Sequence, residues 1–455
     1  MKRMGCGRAR SPGRSGPSLG RHLAWITGLA VIVAALGCSL SDGEASPGGA
    51  GGDGGQGGDG GQGGGPETQK TVLRVPLYPY IPDAAGDQFA AMVLRIESEL
   101  ELGHPEIDLV VNPPCFADDF YDPLSLARGL GGEDTDCPYD VAEVDMMLLG
   151  ELVATGAIRP WEEVPAASFH PAGLEASTYN GEVYGVPHWL CSHFIFSRDA
   201  GVEAAGTAEA LDAALGALQT PALPDMAGNM LGSWNLPPLY LDAWADTNGP
   251  EGVSSAVSAT TYDAATLEAL TTFARTCESE GENPCLDGTY DREENFDLPA
   301  QRFAGAEVDA MLGYSEWLHT ILKSLPRGAD PASLRISSAP LGDGSAPLLF
   351  TDSFVVSARC AGACAEAAAA FVAYMSSAST YEWILAAEDA PADGRVPRYL
   401  MAASRDAYAT PTIRKDPFYA RIDELTQAGK TFPNDGVVAV KDEMRDDILE
   451  ALLTP

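Results

Sequence analysis

From residue 71 onward, short apolar runs that read as strands alternate with longer segments whose apolar residues recur at helical intervals. TVLRVPLYPYIPD reads as a strand ending at Pro82-Asp83, DQFAAMVLRIESELELGH as a helix, and IDLVV as a short buried strand. Residues 139–145 (YDVAEVD) read as another strand, and MMLLGELVATGAIRP as a helix stopped near Gly156 and Pro160. Two adjacent strand-like pieces lie around Gly185-Val186-Pro187, and helices are expected in AEALDAALGALQ and AATLEALTTFARTCESE. Residues 307–325 change from strand to helix at Ser315, which is expected as the N-cap, with Glu316 in the first turn. Residues 346–358 (APLLFTDSFVVSA) form a further expected strand, and the remainder reads mostly as helix. Such alternation predicts an α/β fold with parallel sheets covered by helices. The chain has 455 residues, 45% of them hydrophobic, enough core for two or three domains.

The first seventy residues are different in kind. Residues 1–22 carry Lys2, Arg3, Arg8, Arg10, Arg14 and Arg21 without an acid, and a 15-residue apolar run follows over 23–37. That order matches an export signal, and the run is short for a membrane span of ~20 residues. It ends in Ala35-Leu36-Gly37-Cys38, similar to the bacterial lipoprotein cleavage box, with Ala35 where Leu is usual. Cys38 is therefore the expected lipidation site, and ordinary cleavage with secretion is the alternative. Residues 41–66 include 14 glycines among 26, a flexible tether with a root-mean-square span of roughly 25–30 Å. Removing residues 1–37 takes six basic residues and no acidic one, which moves the net charge from −37 to −43. A nucleic-acid partner is excluded on that charge, whereas a small cationic ligand is welcome.

An exported chain of this size, built of α/β units and opening on a strand and a helix, suggests a two-lobed architecture with ligand held in the cleft between the lobes. The expected organisation is a signal over 1–37 and a lipidated tether over 38–70. One lobe is expected from 71–190 plus about 352–395, and a second from 191–351 plus about 396–455. Monomer is the default for such an architecture.

Seven of the nine cysteines fall in the exported domain. Six form local couples that are candidate disulfides: Cys115 with Cys137, Cys277 with Cys285, and Cys360 with Cys364. Cys191 is left over, in the apolar run GEVYGVPHWLCSHFIFSRD. It can be a buried packing residue or a reactive thiol. His188 and His193 nearby do not make metal spacing with it, and six histidines in the whole chain offer little support, so no metal and no cofactor are expected. Glu316 is either a helix-terminal acid or a carboxylate able to take a thiol proton. Tyr78, Tyr80 and Tyr314 lie at expected strand ends, where they can stack on a flat ring. Asp145 and Asp352 also read as strand-end residues, serving as caps or as partners of a cationic or amidine-like ligand.

The segments VPLYPYIPD, YDVAEVD, NGEVYGVPHWLCSHFIFSRD, NMLGSWNLPPLYLDAWADTNG and FAGAEVDAMLGYSE, in this order, resemble the thiaminase I family (thiamine pyridinylases). The likeness runs from about Thr71 to the C-terminus and is sharpest at Leu190-Cys191 and at Gly313-Tyr314-Ser315-Glu316. It implies the two-lobed, type II periplasmic-binding-protein fold, with Cys191 as nucleophile and Glu316 as the base that generates its thiolate. Tyr78, Tyr80, Asp145, Tyr314 and Asp352 would line a thiamine pocket. Phe350 stands where that family has tyrosine, and Ser192-His193 depart from its Thr-Asn pattern; the two histidines then look incidental. The implied reaction cleaves thiamine, releasing the thiazole and passing the pyrimidinylmethyl group to a small amine or thiol acceptor through a covalent intermediate. The alternative is a non-catalytic importer lipoprotein that binds thiamine, a pyrimidine or a sugar.

Overall fold

The strand Leu348–Ser357 is buried at all ten positions and is the axis of a six-stranded sheet. This is seen in a computed structural model that describes residues 70–113, 122–133, 137–165, 168–218, 224–342 and 347–454. The export signal, Cys38, nearly all of the tether, and Cys115 with its expected bridge to Cys137 lie outside the described residues. Burial of Leu348, Leu349, Phe350, Phe354, Val355 and Val356 stabilises the fold by about 1.5–3 kcal/mol for each large side chain relative to exposure.

On one edge this strand pairs antiparallel with Val141–Asp145, placing Asp352 opposite Asp145. On the other it pairs antiparallel with Gly185–Cys191, placing Phe350 opposite Cys191. The register slips between Asp352, opposite Trp189, and Ser353, opposite Pro187. That bulge accommodates a proline inside a well-paired strand, because the irregular position does not require its missing N–H. Gly185 allows the close approach: a Cβ there would lie 2.7 Å from that of Ser353.

A second sheet of four strands has the order Arg335–Ser338, Phe194–Ser197, Ala310–Gly313, Met226–Ala227. Gly185–Cys191 and Phe194–Ser197 are consecutive in the chain. At this crossing Ser192 and His193 are therefore the whole connection between the two sheets.

The opening unit is a parallel pair, Thr71–Val75 with Ile107–Val111, joined through the helix Ala90–Gly103. Met92, Ile96 and Leu100 bury one stripe of that helix at a spacing of four. The first strand stops at Val75 rather than reaching Pro82-Asp83 as the sequence suggested. Pro76 and Pro79 cannot donate to a ladder, and the Leu77 N–H instead donates to Asn112 Oδ1 at 2.8 Å.

Parallel sheets were expected, yet most pairs around Leu348–Ser357 are antiparallel. Apolar periodicity reports element type and not direction. Between Cys191 and Leu348 the chain builds the second sheet, and it re-enters the first sheet running opposite to the strands that preceded its departure. Cys277–Cys285 and Cys360–Cys364 are disulfide-bonded. Among the described residues, no helix is long and apolar enough to cross a membrane.

Candidate active site

Cys191 is the last residue of its strand and is 6% exposed. Glu316 arrives from the second sheet: the strand Ala310–Gly313 ends, Tyr314 and Ser315 turn, and Glu316 precedes the helix Trp317–Ser324. Glu316, rather than the expected Ser315, occupies the N-cap position, and its side chain makes no capping hydrogen bond. The carboxylate is thus not consumed by the helix end. Gly313 makes the turn possible, since a Cβ there would lie 2.7 Å from Trp317 Cδ1.

The two sheets meet over a cleft of about 900 Å³. Cys191, Glu316, Tyr78, Tyr80, Asp145, Tyr314, Asp352 and Phe350 all line it. Tyr78 and Tyr80 sit in the turn after the first strand with ring centroids 5.6 Å apart, and Tyr80 is half exposed. Asp145 ends its strand as expected and accepts the Met147 N–H at 2.8 Å, capping a short 3-10 turn. Asp352 is not at a strand end. It lies in the middle of Leu348–Ser357, because the apolar run continues on both sides and the bulge gives a polar residue its place.

Negative charge and burial act together here. Burial pushes the Cys191 thiol well above its ordinary range, and Glu316, Asp352 and Asp145 push it further, while a hydrogen bond from Tyr78 pulls the other way. Burial raises Glu316 to about 7 and Asp145 to about 7, the latter opposed by the Met147 N–H. Asp352 is raised well above the carboxylate range by burial, then by Asp145, Glu143 and Glu316. Arg292, Lys323 and Arg445 also line the cleft, but none of them figures among the charges acting on these four groups. Such a pocket is short of positive charge, and a cationic ligand would favour ionisation of all four.

The sequence reading left Glu143 and Asp242 unremarked and took His188 and His193 as incidental. Glu143, fully buried in the Val141–Asp145 strand, accepts the Tyr78 N–H at 2.8 Å and bonds His188 Nδ1, so it fixes the tyrosine turn. The signal was available as the inner of the two acids in VAEVD. His188 is fully buried and does not line the cleft. His193 does line it, 4% exposed, with Nδ1 held 3.0 Å from Asp242 Oδ2. Its ring stacks on Tyr314 at 5.2 Å and meets the edge of Phe350 at 5.3 Å. Among the described residues no group of three or more His, Cys, Asp or Glu is arranged to hold a metal ion.

The family model for bacterial extracellular solute-binding proteins matches residues 136–414, more than half of the chain. The chain belongs to this family. Within the solute-binding family it is similar to thiaminase-1 of Paenibacillus thiaminolyticus, 25% identical over 392 residues, covering 83% of this chain and 86% of that protein. Among solved structures, thiaminase I from Bacillus thiaminolyticus superposes with a TM-score of 0.65 at 22% identity, covering 84% of this chain and all of that one. Clostridium botulinum thiaminase I in complex with thiamin gives 0.66 at 18% identity, with 84% and 100% covered. The GacH receptor of Streptomyces glaucescens, solved unliganded and with acarbose, gives 0.61 at 18% identity, covering 84% of this chain and 93% of that one. The α/β, two-lobed solute-binding fold expected from the sequence is the fold observed, and the chain is a distant homologue of thiaminase I.

Proposed function

We propose that this solute-binding family member is an exported thiaminase I-like transferase. Thiamine is the substrate, a small amine or thiol is the acceptor, and Cys38 anchors the protein to a membrane through the glycine-rich tether. In this reading Glu316 takes the Cys191 proton, and the thiolate adds to the aminopyrimidine carbon adjacent to the methylene bridge. The neutral thiazole then leaves, and the acceptor takes the pyrimidinylmethyl group as the sulfur departs. Tyr78, Tyr80 and Tyr314 supply aromatic walls, while Asp145 and Asp352 orient the aminopyrimidine.

The observation that carries this reading is the pairing of Cys191 with Glu316 in one buried cleft, with the carboxyl near 7. A receptor needs neither group. In the free cleft burial first, and then the surrounding acids, push the thiol upward; the thiazolium charge of thiamine would offset the acids' share and favour the thiolate as it binds. The test is incubation of the full chain with thiamine and aniline, with mass spectrometry for the aniline adduct and free thiazole. Binding of thiamine without any thiazole release overturns the transferase.

The second reading is a non-catalytic receptor for thiamine, a pyrimidine or a sugar. It is favoured by the burial and the neighbouring acids that push the Cys191 thiol upward and by the likeness to the GacH receptor.

A further inference from the structure

Deepening the transferase reading and resting on it, we propose that His193, held by Asp242, is the base that takes the proton of an N–H acceptor in the second half of the reaction.

The need for a second proton carrier follows from counting. Cleavage starts when Glu316 takes the thiol proton of Cys191, the sulfur bonds to the pyrimidine ring, and the bond from methylene to thiazolium breaks with its electron pair leaving on neutral thiazole. An amine acceptor then forms a carbon–nitrogen bond, and the carbon–sulfur bond breaks to return the pair to sulfur. Aniline brings one proton that must leave nitrogen, and Glu316 already holds the proton of the thiol. Over the whole cycle thiamine and aniline give thiazole, the adduct and one released proton. Pyridine, by contrast, gives a pyridinium adduct and releases none.

His193 is built for that task. Asp242 Oδ2 lies 3.0 Å from its Nδ1, while Asp242 Oδ1 accepts the Leu348 N–H at 3.0 Å. Both side chains are 4% exposed. With a carboxylate on Nδ1, that nitrogen carries the hydrogen and Nε2 keeps the free lone pair. Nε2 is buried without a hydrogen-bond partner in the protein. The ring packs against both Tyr314 and Phe350, which also meet edge-on at 6.0 Å, and Phe350 is the register partner of Cys191. An imidazolium formed there would rest against the Asp242 carboxylate, as in other histidine–carboxylate pairs.

The experiment compares aniline with pyridine as acceptors for the full-length protein and its variants. His193→Asn should depress aniline transfer about 100-fold more than pyridine transfer, while keeping the single-turnover burst of about one thiazole per Cys191. Asp242→Asn should do the same by a different route. Its amide oxygen is held by the Leu348 N–H, so its NH₂ faces Nδ1, moves the ring hydrogen to Nε2 and removes the acceptor lone pair. Equal loss with both acceptors, no loss with either, or loss of the thiazole burst in His193→Asn overturns the role of His193 alone. No thiazole from the unmodified protein overturns the transferase reading, and this one with it.

Discussion

Asp145 and Asp352 stand opposite one another across adjacent antiparallel strands, and their carboxyls repel within the cleft. Both are raised, Asp145 to about 7, so the folded state holds protons that the unfolded chain releases near pH 4. The stability this retention contributes is fully present below about pH 4 and is lost as the pH rises toward the folded value of about 7. Asp145→Asn keeps an oxygen for the Met147 N–H and removes the charge. Its melting temperature should therefore gain on that of the native chain by several degrees between pH 4 and 7, then run parallel above. Thermal unfolding across a pH series measures the difference, and parallel curves throughout would contradict it.

The same ionisations set ligand affinity. Since Glu316 and Asp145 both lie near 7, a cation gains partners as they ionise. Calorimetry with Cys191→Ser should show thiamine binding tighten severalfold from pH 6 to pH 8, and Glu316→Gln should flatten that rise.

Cys191 should be slow toward iodoacetamide at neutral pH, because burial and three carboxyls hold it as the thiol. The alkylation rate, followed by intact mass, should climb through the alkaline range without levelling near the ordinary value of ~8.5. A plateau at that value would show that neither burial nor the acids act on the sulfur.

Turnover should vanish in Cys191→Ser and fall about 100- to 10,000-fold in Glu316→Gln, with both variants still binding thiamine. Native-like rates in either variant remove that residue from the chemistry.

Gly313→Ala should lower stability by about 1–3 kcal/mol, because the added methyl would meet Trp317 at 2.7 Å. Relief of that clash moves the turn carrying Glu316, so thiamine turnover, measured well below the variant's melting temperature, should fall as well.

The strand-and-helix order was legible because Ile107–Val111 and Ala90–Gly103 each carry their own periodicity. The meeting of Cys191 and Glu316 in one cleft was legible through a resemblance and a missing disulfide partner. Strand direction was not, since it depends on when the chain leaves and rejoins a sheet. Nor was the mid-strand position of Asp352, which needs the bulge opposite Pro187 and Trp189. His193 looked incidental because its meaning lies in Asp242, 49 residues away, and no local pattern connects the two.

Ser192 and His193 are the whole length of chain between Gly185–Cys191 in one sheet and Phe194–Ser197 in the other. Cys191 ends the first sheet's strand, whereas Glu316 is carried on the second sheet. The thiol and the Glu316 carboxyl are therefore delivered to one cleft by different sheets, and their spacing depends on how the two sheets pack against each other. In the proposed reaction the substrate must therefore touch both sheets at once, and a ligand that reaches only one of them meets a receptor surface without its chemistry.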